Sequence, residues 1–427
     1  MKAITISVLA GIAACAMVGP LPAAHAANFK EKVLWSFGNG ADGQSPWAQL
    51  LDVKGIFYST TEFGGTNGEG TVFSLNPNTG QENILYSFRN ESRCEPRCVD
   101  GQKPWEGLID VKGTLYGTTG WGGDGQFGGD GTVFALDPNT NTERVVYSFC
   151  NQQNCTDGSI PDAAPLSIKG VLYGTTEEGG FGSTSIGTVY TLDPTTGTEK
   201  VLYSFCSQKN CADGLGPGTG LIKVKGKLYG TTYAGGEGTG CEGGNYGCGT
   251  VFSLNPVSGA ETVLHSFGSG TDGRLPSGSL ISLNGRLYGT TSGGGAGDGN
   301  SCDIAYSGCG TVFSLNPNTG IETVLHSFCT QKNCTDGANP LRNLIEVNGI
   351  LYGTTPVGGA NSGGTVFSIN PKTKAEKVLY SFCTLQNCAD GWSPSAGLIE
   401  VKGTLYGTTV GGGTYGYGTV FALQPRK

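Results

Sequence analysis

The string Leu-Tyr-Gly-Thr-Thr occurs six times in this chain, and a near copy, Phe57-Tyr58-Ser59-Thr60-Thr61, comes before them. Each copy is followed by a Gly-Gly pair and then by Gly-Thr-Val-Phe or Gly-Thr-Val-Tyr. This second element starts at Gly70, Gly131, Gly187, Gly249, Gly310, Gly364 and Gly418, so successive units are 54 to 62 residues apart. A period of this size marks a repeat architecture, in which no unit buries its apolar face alone and neighbours must stack.

The second unit shows the pattern within a repeat. Leu108-Ile109-Asp110-Val111 alternates in polarity, and the two-residue turn Lys112-Gly113 leads into Thr114 to Thr119. A Gly-containing two-residue turn between short β-rich runs signals a tight antiparallel hairpin. A glycine-rich loop follows, then Gly131 to Leu136, the turn Asp137-Pro138-Asn139-Thr140, and Glu143 to Phe149. The unit therefore reads as four short antiparallel strands, termed a, b, c and d. Four such strands repeated radially make a propeller blade. The described order begins with a lone d strand, Glu31 to Phe37, and finishes with a lone c strand from Gly418 to Leu423. Joining them completes a seventh blade and removes the open edges that a linear array would expose to aggregation. The expected fold is an all-β, seven-bladed propeller spanning 27–427. A β-helix fits less well, because the Lys-Gly and Asn-Gly turns require antiparallel hairpins.

The cores Leu228-Tyr229-Gly230-Thr231-Thr232 and Gly249-Thr250-Val251-Phe252-Ser253-Leu254-Asn255-Pro256, recurring through the mature chain, resemble the Gloeo/Verruco (GloVer) tandem-repeat family of bacterial choice-of-anchor proteins. The resemblance implies an exported repeat protein of propeller type and brings no activity, substrate or catalytic residue. The sequence departs from that label in showing no hydrophobic tail after the last c strand, so the expected anchor is lipid on Cys15 or none.

Export is also read from the first 26 residues. Lys2, an apolar run from Ala3 to Val18, Gly19-Pro20 and the Ala24-His25-Ala26 site form a secretory signal pattern. Ile12-Ala13-Ala14-Cys15 also passes as a lipobox, which leaves a lipoprotein as the minority alternative to a secreted, periplasmic or cell-surface protein. No later stretch is long and apolar enough for a membrane helix. With 26 basic and 34 acidic residues, the net charge of −8 argues against a nucleic-acid partner.

Apart from Cys15, the cysteines fall into close pairs: Cys94-Cys98, Cys150-Cys155, Cys206-Cys211, Cys241-Cys248, Cys302-Cys309, Cys329-Cys334 and Cys383-Cys388. Repeats without a pair lack both members together. Disulfides are therefore expected, because zinc would need accompanying histidines at other spacings.

Strand parity puts the a-b and c-d turns on one face and the b-c and d-a loops on the other. Length variation and all the cysteine pairs fall on the second face, which is the expected working surface. Its d-a loops carry Asp-Gly-x-x-Pro, with Asp at 42, 100, 157, 213, 272, 336 and 390. A residue present in every blade reads as scaffold, with Asp holding nearby backbone and Gly supplying positive φ. Asp124 and Asp130, between glycines, are weak calcium candidates that do not keep the regular nonapeptide period of calcium-binding repeats.

The departures from the repeat carry the functional reading. Trp47, Trp105, Trp121 and Trp392 fall in units one, two and seven, which ring closure makes neighbours, and they are the candidate ligand-binding residues for a glycan or a protein surface. His265 and His326, the two histidines after the signal, stand in the strand-d place that Tyr86, Tyr147, Tyr203 and Tyr380 hold elsewhere. A Ser-His-Asp system or multi-His metal centre has little to build from, and no cofactor is expected. The leading expectation is a monomeric, non-catalytic binding module. The alternatives are a glycosidase or lyase using loop carboxylates such as Glu177, Glu178 or Asp303, which needs two carboxyls about 5 to 10 Å apart, and a purely structural surface protein.

Overall fold

The computed structural model describes residues 29–89, 99–125, 129–181, 186–238, 241, 247–268, 271–297 and 308–426. The signal region, Cys15, Cys94, Cys98, Cys302 and Asp303 lie outside the described residues.

Strands pair into seven blades of four strands each, and the fifth blade gains an extra short strand, Gly273–Pro276, on its b strand. Blade 1 runs Leu51–Val53, Ile56–Thr61, Thr71–Asn76 and Gln81–Ser87, in the order a, b, c, d, and the following blades repeat it. In blade 7 the c strand Thr419–Pro425 pairs antiparallel with Phe29–Ser36, Phe29 opposite Pro425 and Ser36 opposite Thr419. The N-terminal strand thus supplies the outer edge of the last blade and closes the ring.

Every part of the repeat has a packing reason. The second Thr of each Leu-Tyr-Gly-Thr-Thr bonds the Thr of the c strand, as in Thr61 to Thr71 at 2.8 Å and Thr409 to Thr419 at 2.8 Å. The first Thr reaches the next blade: Thr60 Oγ1 donates to the Glu106 carbonyl at 3.0 Å, Thr290 to that of Arg342 at 3.1 Å, and Thr408 to that of Pro46 at 2.9 Å across the closure. The Gly of the motif leaves space for the c-strand ring, since a Cβ on Gly230 would come within 2.7 Å of the tip of Phe252. The Gly that opens each c strand has φ between 82° and 104°, and a Cβ there would overlap a strand-b carbonyl and the Pro of the following blade. Left-handed backbone and a close neighbour together exclude any other residue.

The core lies in the seams between blades. A strand-d Phe meets the next blade's c-strand ring edge to face in all seven seams, from Phe37–Phe73 at 5.1 Å to Phe382–Phe421 at 5.0 Å. Such pairs contribute about 0.5–1.5 kcal/mol each beyond their buried area. Blade 3 carries Tyr190 where the others carry Phe. Its hydroxyl is fully buried and makes no hydrogen bond. Leaving a buried hydroxyl unpaired costs on the order of 1 kcal/mol. Tyr190→Phe is therefore expected to raise stability by about that amount in urea unfolding; a loss of stability would show that the hydroxyl has a partner in solution.

The Asp-Gly-x-x-Pro carboxylates are scaffold, as expected, but through longer contacts than a turn to their own backbone. Asp157 accepts from the Asn151 and Gln152 amides, six and five residues earlier, and from the Tyr147 hydroxyl at 2.7 Å. Asp213 and Asp390 are held the same way by Tyr203 and Tyr380, at 2.8 and 2.9 Å. His265 and His326 fill that slot, with Nε2 at 3.3 Å from Asp272 and 3.4 Å from Asp336. They are structural replacements for Tyr.

Five disulfides have both partners among the described residues, Cys150–Cys155, Cys206–Cys211, Cys241–Cys248, Cys329–Cys334 and Cys383–Cys388, and Cys309 is disulfide-bonded as well. They are consistent with an oxidising, extracytoplasmic location. No helix among the described residues is long and apolar enough to cross a membrane.

Candidate ligand-binding site at the channel mouth

After each Asp-Gly-x-x-Pro the chain turns into strand a, the innermost strand. The residues directly after the Pro therefore ring the central axis on the loop-rich face. At the first position they are Trp47, Trp105, Asp162, Gly218, Ser277, Leu341 and Ser395; at the second, Ala48, Glu106, Ala163, Thr219, Gly278, Arg342 and Ala396. Large and charged side chains come from blades 1 to 3 and from blade 6. Blades 4 and 5 contribute small ones, so the ring is asymmetric.

Arg342 decides where these residues converge. It starts in blade 6, its Nη1 donates to Glu106 of blade 2, its Nε donates to the Ser395 carbonyl of blade 7 at 2.9 Å, and its guanidinium lies 6.0 Å from the Trp47 ring centre of blade 1. Blades 2 and 6 stand on opposite sides of the ring, so this contact crosses the channel mouth. The pair is deep-set but reached by water, with side chains 23 % and 17 % exposed. Gln49 braces the same ring, donating to the Leu398 carbonyl at 2.6 Å, and Asn343 accepts from the Ser279 amide at 2.6 Å.

Three carboxyls, Glu106, Asp162 and Glu62, act on this one guanidinium, and Glu177 acts on Asp162. Burial raises Glu106 above the ordinary carboxylate range, and Arg342 opposes the rise. Asp162 is raised furthest, by burial and by the neighbouring Glu106 and Glu177, against the pull of Arg342. The Trp105 indole N–H lies beside Asp162 but outside hydrogen-bond geometry. Glu177 is raised by burial and by Glu178; Glu62 is raised by burial, with Lys103, the Trp47 indole and Arg342 working the other way. Burial works against the charge of Arg342, but Glu106, Asp162 and Glu62 outweigh it. The mouth thus holds more acid than base, and each of these carboxyls is shifted toward its protonated form.

The four candidate tryptophans divide between two places. Trp47 and Trp105 stand at the axis. Trp121 and Trp392 lie farther out on the loop face, 44 % and 46 % exposed, where Trp121 pairs through its backbone with Gln102 and Trp392 with Gly411. Glu177 belongs to the axial group, and Glu178 is its chain neighbour, whose carboxyl is raised by burial and by Asp130. Asp124 lines a cavity of about 330 Å³ between blades 1 and 2, together with Tyr86, Arg89, Asp100 and Glu143. Asp130 sits against the Cys150–Cys155 disulfide. Among the described residues no three carboxyls come within 4.8 Å of one another, so the axial acids form no compact metal cage.

Glu106, Asp162 and Arg342 were not among the sequence-derived candidates. Their signal lay in the columns one and two places after the Pro, where these residues interrupt a run of Ala, Gly, Ser and Thr.

The Gloeobacter/Verrucomicrobia repeat matches residues 23–241, 154–335 and 298–427. The chain belongs to this repeat family. No curated protein matches it. Among solved structures it is similar to an oligogalacturonate lyase in complex with manganese, at 10% identity and a TM-score of 0.50, over 87% of this chain and 86% of that one. It is also similar to the extracellular domain of a putative one-component system from B. thetaiotaomicron, at 11% identity and a TM-score of 0.52, over 92% of this chain and 40% of that one. At these identities the likeness is one of fold.

Proposed function

We propose that this GloVer repeat protein is an exported carbohydrate-binding module whose ligand seats at the channel mouth. The Arg342–Glu106 pair, held across the ring beside Trp47 and Trp105, carries this reading. It fixes polar groups in a water-reached site next to two indoles, the combination that suits an amphipathic, hydroxyl-rich ligand. Small residues on blades 4 and 5 leave one side of the mouth open to such a ligand. Export through the signal pattern before Ala27, and action as a monomer, complete the proposal. A glycosidase or lyase is the second reading, favoured by one observation: burial, with Glu106 and Glu177, raises the Asp162 carboxyl well above the ordinary carboxylate range, the direction a general acid needs.

The test is a glycan array with the mature protein, repeated with Trp47→Ala and Trp105→Ala, with product formation followed on every hit. Binding that falls at least about tenfold in both variants, without product, supports the module. Product formation abolished by Asp162→Asn would replace it with the enzyme reading, and retention of binding in both Trp variants would remove the axial site.

A further inference from the structure

Resting on that carbohydrate-binding reading, we propose that the ligand is an extended, uncharged polysaccharide whose chain runs outward from the channel mouth across the loop face of blade 7, over Trp392, Tyr415 and Tyr417. These rings come from the two loops of one blade, and each residue is 46 % exposed. The repeat does not ask for them. No other blade has an aromatic residue in the place of Trp392 or of Tyr417: Gln102 and Ala338 stand where Trp392 does, and Asp130 and Cys309 where Tyr417 does. Glycine backbone holds two of the rings from below. A Cβ on Gly411 would come within 2.6 Å of Cε2, Cζ2 and Nε1 of Trp392, three adjoining indole atoms, so Gly411 lies under the face of the ring. Trp392 and Gly411 also exchange both backbone hydrogen bonds, at 2.9 and 3.2 Å. In blades 2, 3, 5 and 6 the first cysteine of a disulfide follows the strand-d Phe, whereas in blade 7 Gly38 follows Phe37. Tyr417 takes the room this leaves, since a Cβ on Gly38 would overlap its ring and lie 3.0 Å from Tyr415 Cβ. Each of these rings is thus fixed on one side and free on the other to stack on a pyranose, with little freedom left to lose on binding.

Charge decides the class of chain. The segments that form this surface, Phe37 to Ala41, Trp392 to Gly397 and Val410 to Gly418, contain no charged residue. The flanking Asp42 and Asp390 are buried, Asp42 accepting from the Gly38 amide at 2.9 Å and Asp390 from the Tyr380 hydroxyl. A uronate or an ammonium sugar would find no counter-charge on these segments, whereas a neutral sugar needs only the ring faces and the Ser, Thr and Tyr hydroxyls beside them. Both sides of the surface join the channel mouth. Ser395, three residues after Trp392, gives its carbonyl to Arg342, and the Ser45 amide, two residues before Trp47, donates to the Tyr417 carbonyl at 2.9 Å. A chain seated beside Trp47 therefore meets these rings as it leaves the mouth over blade 7.

Isothermal titration of the mature protein with two-unit and six-unit oligosaccharides of glucan, xylan, mannan and galactan tests the idea, with oligogalacturonate and chitosan oligosaccharides as the charged chains. A neutral six-unit chain is expected to bind at least about tenfold tighter than its two-unit fragment, because the rings add contacts to a ligand already held at the mouth. Trp392→Ala and Tyr417→Ala should each remove most of that gain, with fragment binding and the urea midpoint unchanged. Gly411→Ala keeps the indole but puts a methyl group under it, and should also reduce the gain. Phe181→Ala, which removes an exposed ring on blade 3, should leave the gain intact. Equal affinity for both lengths, a gain that survives in the Trp392 and Tyr417 variants, or tighter binding of a charged chain would overturn the inference and leave the carbohydrate module standing. A dimer in sedimentation that Trp392→Ala dissociates would also overturn it, by giving the rings to a second copy. Binding of none of the chains would remove both readings.

Discussion

Arg342→Met is expected to lower the unfolding free energy by about 3 kcal/mol, because it strands the Glu106 carboxyl in a deep site without its cation. The side chain also links blades 1, 2, 6 and 7 through Trp47, Glu106 and the Ser395 carbonyl, so its loss loosens the ring on both sides of the closure. The cost belongs mainly to the abandoned charge, which gives a sharper test than the single variant. In the double variant Arg342→Met with Glu106→Gln no carboxylate is left uncompensated, and a large part of the lost stability should return. Urea unfolding of the two single variants and the double variant measures the coupling. Additive losses would show that the pair does not act as a unit.

Raising the pH should destabilise the native protein well before any general alkaline unfolding. Strand d of each blade carries one Glu near its start: Glu31, Glu82, Glu143, Glu199, Glu261, Glu322 and Glu376. Each has a buried Oε1 without a hydrogen-bond partner. Burial, largely, raises Glu31, Glu199 and Glu261 to about 8 and Glu82, Glu143, Glu322 and Glu376 to about 7, and the Asp of the Asp-Gly-x-x-Pro loop in the same seam adds to every shift. The seam between blades 1 and 2 shows why the proton stays. The Tyr86 hydroxyl gives its hydrogen to Asp100 at 2.7 Å, and burial together with the Asp100 charge outweighs Tyr86, Arg89 and Arg144, which pull Glu143 the other way.

The sign follows from linkage. These groups hold protons in the folded state over a range where the unfolded chain, at its ordinary value of 4.5, has released them. Their stabilising contribution is complete below that value and is lost as pH rises through about 7 to 8. The side chains are partly solvated, so the shifts are discounted to roughly 0.5 kcal/mol per blade, about 3.5 kcal/mol over the ring. The melting temperature should then fall by about 4 °C between roughly pH 5 and pH 8.5. Calorimetry across that range measures it, and replacing three of the glutamates by Gln should flatten the slope. A flat or rising profile would show that the seams are solvated enough to ionise freely. Asp336 acts oppositely: burial raises it, but His326 and the Thr330 amide and hydroxyl together outweigh this and hold it low, so its contribution is lost only in acid.

The repeat made the fold legible because each repeated residue answers a local demand met once per blade. Gly249 must adopt positive φ against Pro276, Thr232 must bond Thr250, and Phe205 must meet Phe252. Such demands recur at fixed spacing and can be read in one dimension. The slot shared by Tyr and His was legible for the same reason, since Tyr147 and His265 occupy one column and each faces the Asp of its own seam. The exposed Trp121 and Trp392 could also be placed on the loop face from strand parity alone.

The channel mouth was not legible in this way. Glu106 and Arg342 are 236 residues apart and belong to no shared motif. They meet because a closed ring brings the heads of all seven a strands to one axis, where a long side chain from one blade can reach the blade opposite. Trp47 and Trp105 follow the same Pro as the small residues of other blades, and only the closed ring shows that this column faces inward. The sequence by itself thus determined the blade, the number of blades and the closure, which rest on hydrogen bonds and packing between neighbours. Tertiary structure alone decided which non-repeating side chains share a site and which protons they keep, because burial and charge at the axis depend on all the blades at once.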